Sequence, residues 1–166
     1  MAAAQANIAR TCTLSITEPS RMDPNNPVVK MCAQGIDVEM KGHRDEARLL
    51  FLQAWELRQD DADACVAAHY VARHQETPAE TLRWNELALM HALRSSADSV
   101  RSFYPSLYLN LGKSYEDCGD SSRARELYEQ GERCIKDVPE GGYGEIVRQG
   151  LLNALQRVRQ EGGTDR

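Results

Sequence analysis

No stretch of this chain approaches the roughly 18 consecutive apolar residues that a membrane-crossing helix requires, so no membrane partner is expected. Basic residues are the minority charge. Lys and Arg number 20 against 25 Asp and Glu, for a net charge of −5 and a pI near 5.4. Sequence-independent nucleic-acid binding relies on clustered cations that neutralise phosphates, so no nucleic acid is expected as a partner either. The opening residues Met1-Ala2-Ala3-Ala4-Gln5 lack an apolar core behind a basic stretch; no secretory signal is expected, and the predicted location is cytoplasmic. The five cysteines, at 12, 32, 65, 118 and 134, are scattered and form no Cys-x-x-Cys. A disulfide framework or zinc knuckle would need closer pairing; reduced thiols in a helical core are the simpler expectation. The four histidines, at 43, 69, 74 and 91, form no His-Glu-x-x-His, and neither a phosphate-cradling Gly loop nor Gly-x-Ser-x-Gly occurs. The chain is therefore expected to have no catalytic residues, no cofactor and no metal.

What the chain does have is an internal repeat. Ala33-Gln34-Gly35, followed by Gly42, Ala47, Phe51 and Ala54, returns at identical spacing as Asn110-Leu111-Gly112, followed by Gly119, Ala124, Tyr128 and Gly131. Recurrence at fixed offsets marks one supersecondary unit used more than once. Its periodicity is helical. Val28, Met31, Gly35 and Val38 fall on one stripe; Gly42-His43 interrupts it; Ala47, Leu50, Phe51, Ala54 and Trp55 face inward from a second helix over about 44–58. Asp60-Asp61 ends that unit, and a new helix near Ala62 carries Cys65, Ala68, His69 and Ala72. Thr77-Pro78-Ala79-Glu80 has the form of a capping box with proline at the first helical position. The helix it opens has apolar residues on two sides, Trp84, Leu87 and Ala88 on one, Leu82, Leu89 and Leu93 on the other.

Residues 95–102 read as a longer connection. Pro105 suits the first turn of the next helix, with Tyr108, Leu111, Gly112 and Tyr115 in stripe, and Asp120 suits the cap of the one after. A last helix over about 145–160 carries Val147, Leu151, Ala154, Leu155 and Val158 on one face, as a terminal lid should. Residues 1–27 hold three of the six prolines, Pro19, Pro24 and Pro27, and read as a flexible leader; residues 28–160 read as one helical domain and 161–166 as a disordered tail. Met22 would serve as an alternative start, which makes the fold independent of the first 21 residues on this reading.

Over about 28–136 these residues resemble the tetratricopeptide repeat family, whose helix pairs place a small residue in the first helix, Gly at the turn, and Ala, aromatic, Ala in the second. The resemblance implies an all-α, right-handed helical-hairpin solenoid of about three helix pairs plus a C-terminal capping helix. The middle copy departs from the pattern: His69 stands at the glycine site, Thr81 and Asn85 at the Ala and aromatic sites, and the third copy starts at 105, 43 residues after Ala62 rather than 34.

The resemblance further implies that the first helix of each pair lines a concave groove. The side away from the glycines is Cys32, Ile36 and Glu39; Val66, Tyr70 and Arg73; and Leu109, Lys113 and Glu116, with Asn110 adjoining, each triple spaced i, i+4, i+7. Such a face suits an extended peptide or amphipathic helix. A chaperone-tail clamp is not expected, because Cys32 and Ile36 stand where that clamp has Lys and Asn. The expected role is a non-catalytic adaptor or scaffold binding a protein or peptide partner. Self-association into a homodimer, through the last helix or the middle pair, stays open as a different class.

Overall fold

The computed structural model describes residues 22–138 and 140–161. Most of the expected leader, residues 1–21, and residues 162–166 lie outside the described residues. Those described form seven α-helices and no strand: α1 (Pro27–Met40), α2 (Arg44–Glu56), α3 (Asp61–Val71), α4 (Pro78–Arg94), α5 (Tyr104–Asp117), α6 (Ser121–Arg133) and α7 (Gly142–Glu161). Short 3₁₀ segments cover Ala72–His74, Asp98–Phe103 and Ile135–Asp137.

Helix starts follow local chemistry. Pro27 does not block structure, as the leader reading held; it occupies the first turn of α1, where its missing N–H costs nothing. The cap is Asn26, whose Oδ1 accepts the N–H groups of Val28 (2.7 Å) and Val29 (3.2 Å). Asp60, at the expected boundary between the first and second units, caps α3: its Oδ1 accepts the Asp63 N–H at 2.8 Å. The Thr77 hydroxyl oxygen accepts the Glu80 N–H at 3.2 Å and its O–H donates to Glu80 Oε2 at 3.0 Å, so the expected capping box closes through side chains. Asp120 caps α6 through the Arg123 N–H at 2.9 Å.

The two good copies of the repeat reverse the chain in the same way. Gly42 (φ +90°) and Gly119 (φ +87°) stand just past α1 and α5 in the left-handed region that glycine alone adopts freely. The following residue folds back in both copies: His43 N–H donates to Val38 O at 3.2 Å and Asp120 N–H to Tyr115 O at 2.9 Å. Each turn returns the second helix onto the first, and the contact is a ring on a glycine. A Cβ on Gly35 would lie 2.3 Å from Phe51 Cε1; one on Gly112 would lie 2.5 Å from Tyr128 Cε1. Both rings are fully buried, at 0 % exposure, and burial of a ring that size stabilises by roughly 1.5–3 kcal/mol.

Helices pack in order, α1 with α2, α3 with α4, α5 with α6, and each pair on the next. Among first helices, α1 also touches α3 and α5 touches α7. Between α3 and α5 stands the inserted segment Asp98–Phe103, packed against both, with Val100 buried. Three buried clusters run along the molecule. One joins α1, α2 and α3 around Phe51, one joins α3, α4 and α5 around Leu107, and one joins α6 and α7 around Tyr128. The α7 stripe Val147, Leu151, Ala154, Leu155 and Val158 is buried in the third cluster. Leu93, expected on an apolar face of α4, is instead 62 % exposed, and α7 exposes Ile146 and Leu152 on the side expected to be polar.

Gly35→Ala and Gly112→Ala should each destabilise the fold by about 1–3 kcal/mol through overpacking, although alanine is the better helix former by about 1 kcal/mol. Gly112→Leu should cost at least as much. The check is the urea midpoint of each variant; an unchanged or raised midpoint refutes the ring-on-glycine contact.

Candidate partner-binding groove

Two of the three sequence-derived triples converge. From α1, Val29, Cys32, Ala33 and Ile36, and from α3, Val66 and Tyr70, line a cavity of about 360 Å³. Met22 at the chain's entrance, Ser102 and Phe103 of the inserted segment, and Tyr143 at the start of α7 complete its walls. The volume falls at the small end of ligand-sized pockets, about 300–1,000 Å³, and the lining is largely apolar with a few hydroxyls, the usual balance for such sites.

Tyr70 is held in place from both sides. Its ring stacks on Phe51 (centroids 5.3 Å apart, planes at 21°), and the Arg73 guanidinium lies 5.9 Å from its centroid. Arg73 Nη2 in turn forms an ion pair with Glu39 Oε2 at 2.8 Å, which ties α1 to the 3₁₀ segment following α3. His74 Nε2 lies 2.8 Å from Glu39 Oε1, yet neither ring nitrogen of His74 has the alignment of a hydrogen bond. Burial, reinforced by the neighbouring Tyr143 phenol, pushes the Tyr70 hydroxyl up to about 12. Burial does the same to the Cys32 and Cys65 thiols, which stay protonated and unreactive near neutrality. Tyr70, Cys32 and Ser102 therefore offer a ligand neutral hydrogen-bonding groups, with the Arg73–Glu39 ion pair beside Tyr70.

The third triple does not join this cavity. Leu109 packs on α7, where its Cδ2 would lie 2.8 Å from a Cβ at Gly150. Glu116 accepts Arg157 Nε at 2.5 Å and Nη2 at 2.8 Å, together with the Tyr128 hydroxyl at 2.6 Å. The Arg157 hydrogen bonds, with that of Tyr128, hold the Glu116 carboxyl down at about 2. Lys113 is exposed and pairs with Asp117 on its own helix, and Asn110 is half-buried beside them. The last helix thus covers at the third pair the face that stays open at the first. Glu39 and Glu116 play matching parts: each stands four residues past its α1 or α5 glycine and is paired with an arginine from the unit that follows its own.

Sequence reasoning missed Met22, Val29, Ala33, Ser102, Phe103 and Tyr143. Val29 and Ala33 sit one turn from Cys32 and Ile36 and were within reach of the same periodicity argument. Phe103 and Tyr143 come from a 3₁₀ segment and a distant helix, and no local pattern brings them to the groove. A second depression of about 520 Å³ lies between the α2–α3 turn and α4, lined by Glu56, Arg58, Gln59, Asp60, Asp61, Ala64 and His91. Three of its polar residues are already engaged: His91 Nδ1 lies 2.6 Å and Arg94 Nε 3.7 Å from Asp61, and the Arg58 guanidinium covers the Trp55 ring at 3.8 Å. Among the described residues no group of three or more His, Cys, Asp or Glu is placed to hold a metal ion, and no helix is long and apolar enough to cross a membrane.

His69, at the middle pair's glycine site, packs edge-on against Tyr70 and Phe103, and its Nδ1 is buried without a hydrogen bond. Burial, with the Arg73 charge adding to it, lowers its pKa to about 4. The unfolded chain, with His near 6.5, then binds a proton that the folded chain refuses. Stability should therefore fall as pH drops from about 6.5 towards 4, with a further loss below about 4.5 as Glu116 protonates in the unfolded chain first. Urea unfolding of the wild type and His69→Gln at pH 7, 5.5 and 4.5 checks this. The difference between the two should shift with pH in the wild type's disfavour at the acid end, and parallel profiles would refute it. Comparison of this chain with family models, with curated proteins and with solved structures finds no match in any of the three.

Proposed function

We propose that the protein is a non-catalytic adaptor whose helix pairs stack as a right-handed solenoid of the tetratricopeptide kind, and that it grips a peptide or helix of a protein partner in the groove between α1 and α3. The observation that carries this reading is the cavity itself. Cys32, Ile36, Val66 and Tyr70, picked out by repeat register alone, line one continuous apolar recess with an ion pair at its rim. An extended or helical peptide uses such a recess for one anchoring side chain and the rim for polar contacts. The matching glycine–ring contacts of the first and third pairs and the α1–α3 and α5–α7 contacts support the stacked arrangement. The buried α7 stripe supports the adaptor over self-association through that stripe, since that apolar surface is interior to the chain.

Affinity capture from the native source with mass spectrometry supplies the partner. Changing Tyr70 and Arg73 together to Ala should then abolish its capture. Because Tyr70 also stacks on the core ring Phe51, Ile36→Asp serves as companion: it leaves the aromatic stack in place and sets a charge on the groove wall. It should weaken partner binding at least tenfold, about 1.4 kcal/mol, with an unchanged far-ultraviolet helical signal. Retained binding by both variants overturns the groove assignment.

A further inference from the structure

Resting on the groove reading above, we propose that the sequence immediately before Met22 is a ligand of the protein's own groove, held there in cis through Leu14 and Ile16, and that a partner must displace it.

The placement of Met22 is the first reason. The chain reaches α1 at the cavity: Met22 is one of its walls and packs against the buried clusters around both Phe51 and Leu107. Whatever precedes Met22 in sequence therefore starts at the mouth. The second reason is reach. Leu14 is eight positions before Met22, so it lies within roughly 26 Å of that residue even at full extension. A tether this short raises the local concentration of the segment to the order of millimolar. Even a segment with a millimolar intrinsic Kd then fills the cavity about half of the time.

The third reason is composition. Cys12, Leu14 and Ile16 alternate with Thr11, Thr13, Ser15 and Thr17, a period of two that would set three apolar side chains on one side of any extended backbone bound in the groove. The cavity is apolar, with the hydroxyls of Tyr70, Ser102 and Tyr143 among its lining residues, and Thr and Ser suit those groups. The segment is also cationic, with Arg10 and Arg21 against Glu18 alone, while the chain as a whole carries −5. Electrostatics favours such a segment lying on the body over extending away from it. The functional consequence is a tax on the partner. Its apparent Kd rises in inverse proportion to the fraction of chains whose groove is open.

The experiment uses the full chain. A photoreactive benzoylphenylalanine replaces Leu14, and cross-links are mapped after mixing isotopically light and heavy protein. Expected products are intramolecular and fall on Val29–Ile36, Val66–Tyr70 or Phe103; products between two chains, or scattered over the surface, overturn the proposal. In parallel, a labelled synthetic peptide of residues 1–21 is titrated into the wild type and into the full-length double variant Leu14→Ser, Ile16→Ser. The peptide should bind the double variant at least about twofold more tightly than the wild type, and Ile36→Asp added to that variant should abolish the binding. Equal affinity for both proteins, or no binding to either, overturns the proposal. If the peptide fails to bind while Ile36→Asp still abolishes partner capture, only the cis occupant is wrong. If Ile36→Asp alters neither, the groove reading falls with it.

Discussion

A glycine under an aromatic ring is the contact on which the rest of this structure depends. Phe51 rests on Gly35 and Tyr128 on Gly112, at separations that leave no room for even a methyl group. The ring can enter only because the first helix offers bare backbone there, and once it enters, the register of the two helices is fixed to within a fraction of a turn. The left-handed glycines at 42 and 119 then set the reversal that delivers each ring to its place. Close packing makes such a fit all-or-none: a core that interlocks in this way has no neighbouring register of similar energy.

From that interlock the outer contacts follow. Phe51 also reaches the next unit, stacking on Tyr70 and on His74, whose planes lie 21° and 6° from its own. Tyr128 uses its hydroxyl, donating to Glu116, which is then available to Arg157. The middle unit has no such ring. Asn85 takes the aromatic's place, buried, with its Nδ2 donating to Ser114 Oγ at 2.9 Å, and Trp84 meets Trp55 edge-on at 5.0 Å. His69 replaces glycine, and the inserted 98–103 segment packs over it through Phe103. The irregular middle supplies Ser102 and Phe103 to the wall of the cavity.

Much of this was legible in the residues. Helix positions, the Thr77 and Asp120 caps, the buried α7 stripe and the sites of close approach follow from periodicity and small-residue spacing, both of which are local rules. The misreadings share one cause. Pro27 is read by what it forbids rather than by the helix start it permits. Leu93 was placed inside because it is apolar, yet α4 has more apolar residues than it has neighbours. Leu109 and Glu116 were put in the groove by register, which is correct for their helix but silent on whether another helix lies over it.

By itself the sequence determined the secondary structure, the pairing of helices within the two regular units and the face of α1 and α3 that bears Cys32, Ile36, Val66 and Tyr70. These depend on spacing along one helix or across one short turn, where backbone geometry leaves few alternatives. Only the tertiary structure decided that α7 covers the third face and leaves the first uncovered, that Glu39 and Glu116 act as ties, and that Met22, Phe103 and Tyr143 meet at one cavity. Those outcomes depend on where distant segments come to rest, and that is set by the summed packing of the whole chain rather than by any pattern within reach of a single turn.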